Sequence, residues 1–224
     1  MNALELTGRS RGHVREISDP HCVLHAQVVA PFQAMRRAAA SEGFDLQPAS
    51  AHRDFERQLT IWNDKFAGRR RLDDAAGAPL EVGTLTAAER VQAILEWSAL
   101  PGASRHHWGT EMDLIDRRAV AAGRRVELSS AEFAPEGPFA PVAAWLEANA
   151  ARFGFFRPYR GIRSGVRPEP WHWSFAPVSV GAMRDLGVDV LREAIETAPL
   201  AAREVVLERL PELHARYVAG IDWP

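Results

Sequence analysis

The residues from Ser104 to Asp113 read SRHHWGTEMD, and the chain continues as LI to complete the apolar run Met112–Ile115. This stretch holds two adjacent imidazoles and two carboxylates. It follows the Pro101-Gly102 pair and contains Gly109, both of which interrupt regular structure. The pattern therefore predicts a loop that enters a short central strand, with the acidic side chain of Asp113 pointing into a cleft.

Two other segments carry matching chemistry. Residues 50–53 read SAHR and residues 169–172 read EPWH, which adds further imidazoles, a free carboxylate and an arginine. A catalytic zinc ion usually has three protein ligands and keeps a fourth position for water, whereas a structural zinc ion is closed by four ligands, mostly cysteines. The chain has one cysteine, so the residues favour a catalytic site.

The choice of ligands starts from His106 and His107. Side chains that are adjacent in extended backbone point to opposite sides, so these two are not expected to bind the same ion. A third ligand must come from elsewhere, and His172, between two tryptophans in a predicted strand, is the best candidate. A buried Asp113 and a buried His172 both need a polar partner. A shared cation would satisfy both, although each histidine alone would more often be an ordinary core or surface imidazole.

Glu169 and Arg53 complete the proposed chemistry. Glu169 lies three residues before His172 and could take a proton from zinc-activated water and pass it to a departing amine. Arg53 lies at a predicted strand-to-helix junction, where it could hold a substrate carboxylate or an oxyanion. Taken separately, either residue could instead be an ordinary surface group.

Bulk composition excludes several classes of function. With 224 residues, 46% hydrophobic and 25% charged, we expect one domain over 1–224, with a core at about 26–176 and a helical extension at 177–224. A net charge of −2 argues against capture of nucleic acid or an anionic membrane. No secretion signal or membrane span is visible, so the expected location is the cytoplasm, unless a leader was removed or release depends on lysis.

Hydrophobic periodicity predicts the secondary structure. We expect an α+β fold in which the C-terminal region, Ser179 to Tyr217, forms two helices separated near Pro199. Residues 67–85 are rich in Gly, Arg and Asp and are expected to form a loop, whereas residues 116–138 contain basic, Gly and Pro clusters and are expected to form a hairpin or a long excursion. The segments 67–85 and 117–138 could cover the cleft. The other predicted helices are 27–42, 54–66, 86–97 and 139–153, and the predicted strands are 44–50, 112–115 and 171–175.

These motifs resemble those of a known family. The pattern SxHxxGxxxD at 104–113, followed by ExxH at 169–172, is similar to the zinc-binding pattern of the VanY-type D-alanyl-D-alanine carboxypeptidases, which belong to the LAS group of metallopeptidases. Ser50, Arg53 and Gln58 resemble the upstream substrate motif of that family. Residues 145–155 resemble its helix-and-turn segment, so the resemblance runs from about residue 26 to about 176.

The resemblance implies a mechanism and a fold. His106, Asp113 and His172 would bind one zinc ion per chain, Glu169 would be the general base and acid, and Arg53 would stabilise the oxyanion. The implied fold is a small antiparallel sheet flanked by helices. Further implied contacts with the substrate, a peptidoglycan peptide or the dipeptide D-Ala-D-Ala, are Ser104 and Gln58 near its terminal carboxylate, together with Ser50, His107 and Trp171.

Several alternatives stay open. The scaffold could serve a D-Ala-D-Ala carboxypeptidase or dipeptidase, an L-Ala-D-Glu endopeptidase of lysin type, or a non-catalytic zinc-containing module that binds cell wall. Two histidines and a carboxylate also bind iron. His52 stands where the family usually has Tyr or Phe, which leaves the contact at that position open. The oligomeric state does not follow from the sequence.

Overall fold

The computed structural model describes residues 1–161, 163 and 165–224, and it has the expected α+β fold, with small antiparallel sheets flanked by helices. The strands are β1 (Val14–Ser18), β2 (His21–His25), β3 (Leu46–Ser50), β4 (Glu111–Asp116), β5 (Phe155–Phe156) and β6 (His172–Phe175). The helices are α1 (Ala3–Leu6), α2 (Val29–Ser41), α3 (Phe55–Phe66), α4 (Ala87–Leu95), α5 (Ser130–Phe133), α6 (Ala140–Asn149), α7 (Ala176–Asp185), α8 (Val188–Glu196), α9 (Arg203–Glu208) and α10 (Leu210–Leu213).

The main sheet has the strand order β3-β4-β6-β5, and every neighbouring pair is antiparallel. All six residues of β4 are buried, as expected for a central strand covered on both faces. In the register, Asp113 lies opposite Ser50 on one side and opposite His172 on the other. The sheet therefore brings residues from three distant parts of the sequence into one row.

Helix α3 begins directly after the SAHR segment. The side chain of Asp54 accepts a hydrogen bond from the backbone N–H of Arg57 (2.8 Å) and so caps the helix. Phe55, Leu59 and Trp62 then bury one face at helical spacing. This junction places Arg53 between β3 and α3, where the sequence predicts it.

Two hydrophobic clusters form the core. One joins α2 and α6 to the main sheet through side chains such as Phe32, Leu146 and Met112. The other joins α3 and α4 to the C-terminal helices through side chains such as Trp62, Ile94 and Leu191. The stretch from Ser104 to Asp113 connects them, since Trp108 packs in the second cluster and Met112 in the first.

The structure differs from the sequence-based prediction in two places. The prediction of two C-terminal helices is wrong: the region forms the four short helices α7–α10 and a π-helical turn, His214–Val218, because Gly187, Pro199 and Pro211 interrupt longer helices. The β1–β2 hairpin was not predicted, because its strands lack a clear apolar alternation. No helix in the part of the chain that the structure describes is long and apolar enough to cross a membrane.

Candidate metal centre and active-site cavity

Three buried side chains present ligand atoms to one point. Atoms of His106, Asp113 and His172 all lie within 4.8 Å of one another. Asp113 and His172 come from paired positions on β4 and β6, and His106 comes from a 3-10 turn, Arg105–Trp108. Gly109 ends that turn with φ 65°, and a Cβ there would lie 2.6 Å from the Val14 side chain and 2.7 Å from the His25 backbone nitrogen.

His106 is oriented by the backbone. Its Nδ1–H donates to the carbonyl of Ala51 (2.7 Å), which leaves the lone pair of Nε2 facing Asp113 Oδ2 at 3.5 Å. A metal-binding histidine commonly has its second nitrogen hydrogen-bonded in this way, because the bond selects the tautomer and fixes the ring. His106 is therefore arranged as a ligand through Nε2.

His172 is held from the opposite side by Glu111. The Nε2–H donates to Glu111 Oε2 (3.0 Å), while Nδ1 faces Asp113 Oδ1 at 3.1 Å and Glu169 Oε2 at 3.4 Å. Glu111 is fully buried and also contacts Arg105 (3.3 Å). No motif in the sequence predicts this role, although Glu111 and Asp113 are two residues apart in a strand and so share a face.

Charge within the centre follows from these contacts. Burial opposes ionisation of Asp113, but the neighbouring His106 and His172 imidazoles hold the pKa of that carboxyl well below its usual range. Burial alone would lower the pKa of His172, yet its bonds to Asp113 and Glu111 raise the pKa to about 10. For Glu111, burial is outweighed by Arg105 and His172, which bring the pKa to about 2.

Glu169 lies beside the three candidate ligands without belonging to their group. Its side chain is mostly buried and lines the same cavity. Burial raises the pKa of Glu169 to about 7, an effect that Asp113 reinforces and that His172, Arg53 and Lys65 oppose. Backbone hydrogen bonds fix its position, because its N–H donates to Tyr159 and its carbonyl accepts from His172.

Arg53 is held on both its backbone and its side chain. Its Nη1 donates to Gln58 Oε1 (2.9 Å) and its Nη2 to Ser50 Oγ (3.3 Å), and the same Nη2 lies 4.0 Å from Asp113 Oδ2. The Arg53 N–H donates to the carbonyl of His106. The guanidinium thus faces the centre from a fixed direction.

Three of the expected substrate contacts have other partners. His107 is fully buried behind Arg53: its Nδ1–H donates to the carbonyl of Arg53 (2.6 Å) and its Nε2 accepts from the N–H of Gly102 (3.2 Å). His107 does not line the cavity, which differs from the expected contact of His107 with the substrate. Gln58 is also buried and bonded at both ends of its amide, to Arg53 and to the carbonyl of Ala99, and Ser50 contacts Arg53.

A cavity of about 300 Å³ opens over the centre. Ser104 and Trp171 line the cavity, as expected from the sequence. Tyr159 and Lys65 also line it, although no sequence motif predicts them, and the ring centroid of Tyr159 lies 5.0 Å from that of His172. The segments 67–85 and 117–138 contribute Asp73, Glu127 and Leu128 to the lining of the cavity. His52 lines an adjacent groove. The three ligand candidates, Glu169 and Arg53 all lie on the cavity wall.

Known proteins resemble this chain in sequence and in fold. The family model of the VanY D-alanyl-D-alanine carboxypeptidases matches residues 21–178. An uncharacterized protein of Haemophilus influenzae is 49% identical over 98 residues, which cover 42% of this chain and 67% of that protein.

Two solved structures share the fold. VanYB in complex with D-alanine-D-alanine has a TM-score of 0.56 and 22% identity, with 85% of this chain and 91% of that chain covered. A mutant of the vancomycin-resistance D,D-pentapeptidase VanY in complex with Zn(II) has a TM-score of 0.52 and 23% identity, with 86% and 88% covered. Because the family model spans more than half of the sequence, the chain belongs to the VanY D-alanyl-D-alanine carboxypeptidase family.

Proposed function

We propose that this protein is a zinc-dependent peptidase that removes the terminal D-alanine from D-Ala-D-Ala ends of peptidoglycan peptides. The proposal rests on one observation: the candidate ligands His106, Asp113 and His172 line the same cavity wall as Glu169 and Arg53. The complexes of family members with D-alanine-D-alanine and with Zn(II) support the choice of substrate and metal.

The donor set fits zinc. His106 Nε2, the Asp113 carboxylate and His172 Nδ1 would hold the ion, and both imidazoles have their other nitrogen bonded to an acceptor. A zinc ion bound there would polarise the scissile carbonyl and lower the pKa of a water molecule to about 7.

The remaining steps fall to side chains of this chain. Glu169 Oε2 accepts a proton from the attacking water and returns it to the amine nitrogen of the departing D-alanine. Arg53 donates from its guanidinium to the oxygen that gains negative charge, and its bonds to Gln58 and Ser50 mean that little reorganisation is needed. Binding without hydrolysis would not require a carboxylate and a guanidinium fixed in this arrangement.

Product analysis tests the proposal. The purified protein, after metal analysis, is incubated with D-Ala-D-Ala, with a pentapeptide precursor and with intact muropeptides. Free D-alanine from the pentapeptide together with about one zinc per chain is the expected result. Cleavage of the dipeptide alone would indicate a dipeptidase, cleavage at L-Ala-D-Glu a lysin-type endopeptidase, and binding to peptidoglycan without any product a non-catalytic module. Stoichiometric iron without zinc would contradict the metal assignment.

A further inference from the structure

Lys65 is the only lysine in a chain with 27 lysines and arginines. It lies one residue before the end of α3, and its side chain lines the catalytic cavity together with Arg53 and Glu169. Neither the motifs in the sequence nor the mechanism proposed above uses it.

The ammonium group of Lys65 contacts a neutral partner. Its Nζ donates to Ser98 Oγ at 2.7 Å, and among the described residues no carboxylate oxygen lies within 4.0 Å of it. Asp73, the acidic residue on the nearby rim, is bonded to Arg71 instead (2.5 Å). A cation that is largely removed from water without a contacting counter-ion is costly, and burial lowers the pKa of Lys65 to about 8.

The other cationic side chains that line the cavity, Arg105 and Arg53, have hydrogen-bond partners and an acidic neighbour each. Arg105 lies beneath the metal centre, where its Nη2 contacts both Glu111 and Ser174. Arg53 is bonded to Gln58 and Ser50 and faces Asp113. Lys65 is the cavity cation, within the described part of the chain, that has neither an acidic contact nor a place in the mechanism. Its ammonium group has three donor hydrogens, and because one of them forms the hydrogen bond to Ser98, the other two can bind a ligand.

We propose that Lys65 binds the C-terminal α-carboxylate of the peptide substrate and thereby restricts cleavage to the last peptide bond. This inference rests on the proposed peptidase function and names a specificity-determining residue for it. Gln58 is fully buried and does not line the cavity, because its amide is bonded to Ala99 on one side and to Arg53 on the other. Ser98 orients the ammonium group, and the Ser104 hydroxyl on the cavity wall is a second donor for the same carboxylate. Arg53 then remains available to stabilise the oxyanion.

The test compares a D-Ala-D-Ala peptide as the free acid with the same peptide as its C-terminal amide, using wild-type protein, Lys65→Met and Lys65→Arg. We expect Lys65→Met to raise KM for the free acid about 10- to 100-fold, the range for a hydrogen bond to a charged group, with kcat and the amide kinetics little changed. Lys65→Arg should restore most of the affinity, because it keeps the positive charge. Two results would overturn the inference. One is an equal rise in KM for the free acid and the amide, which a structural role of Lys65 through Ser98 would cause, and the other is an unchanged KM for the free acid.

A second measurement does not depend on turnover. In Glu169→Gln protein, which should bind D-Ala-D-Ala without cleaving it, the sole lysine is reductively methylated and the peptides are analysed by mass. D-Ala-D-Ala should protect Lys65 at least several-fold and leave the N-terminal amine unprotected, while D-Ala-D-Ala amide should not protect it. Equal protection by both ligands, or none, contradicts the proposal. If the wild-type protein cleaves no substrate but the free acid still protects Lys65 and the amide does not, only the proposed peptidase function is contradicted.

Discussion

Asp113 and His172 face each other across neighbouring antiparallel strands, with 3.1 Å between Asp113 Oδ1 and His172 Nδ1. They are 59 residues apart in the sequence. Because the strand register itself aligns these two groups, little further ordering of them should be needed when an ion binds.

Glu169→Gln should lower kcat by about 10² to 10⁴, the usual contribution of a general acid-base group, because an amide cannot accept the proton. Zinc content should stay near one per chain, since Glu169 lies beside the ligand group and not within it. Steady-state kinetics and metal analysis on the same preparation test this. The exposed Glu56→Gln is the control, and hydrolysis at the wild-type rate in Glu169→Gln would remove Glu169 from the mechanism.

Arg53→Ala should lower kcat by about two to three powers of ten, as removal of a single oxyanion donor does, with zinc content unchanged. Arg57→Ala serves as the matched control, because Arg57 lies close to Arg53 in the sequence, in the first turn of α3, and its side chain is exposed. A normal rate in Arg53→Ala would show that the oxyanion is stabilised by another group.

His106→Ala should lose zinc, whereas His107→Ala should keep it, although the two residues are adjacent. His107 bonds to the backbone at Arg53 and Gly102, so its loss leaves two buried polar groups unpaired and should destabilise the fold by about 2 to 4 kcal/mol. Metal analysis and thermal unfolding separate the two effects. Loss of zinc from a folded His107→Ala variant would contradict the ligand assignment.

Glu111→Gln should weaken zinc binding about 10- to 100-fold, because Glu111 orients His172 and increases its basicity. The control is Glu132→Gln, another buried glutamate, which accepts hydrogen bonds from the backbone of Glu127 and Ser129. Competition with a chelator of known affinity measures the difference. Equal zinc affinity in the two variants would show that Glu111 has no influence on the metal.

The role proposed for Lys65 predicts that substrate affinity depends on pH. Its pKa is lowered by burial from 10.5 to about 8, so the ammonium form is present at pH 7 and is lost as the pH rises through 8. KM for a free-acid peptide should therefore increase between pH 7 and 9 in the wild type. In Lys65→Arg the same KM should stay nearly constant, because a guanidinium remains charged throughout this range. Parallel pH profiles of the two proteins would contradict the role assigned to Lys65.

Much of the fold and of the candidate site could be predicted because the deciding signals are local. Apolar side chains at helical spacing indicated α3, and the order of the SAHR, SRHHWGTEMD and EPWH segments indicated the family. The roles of Glu111 and Lys65 were not predicted. Each depends on a partner far along the chain, His172 for Glu111 and Ser98 for Lys65, and no periodic pattern records such a pair.

The sequence by itself determined which residue types were available: the candidate ligands His106, Asp113 and His172, the carboxylate of Glu169 and the guanidinium of Arg53. Tertiary structure alone decided their surroundings. In the folded protein His107 bonds to the backbone of Arg53, Gln58 accepts a hydrogen bond from the Arg53 side chain, and Lys65, the only lysine, lines the cavity. The physical reason is that residue type fixes the chemistry a group can perform, whereas register and packing fix its neighbours and its access to water, and with them its charge and its partners.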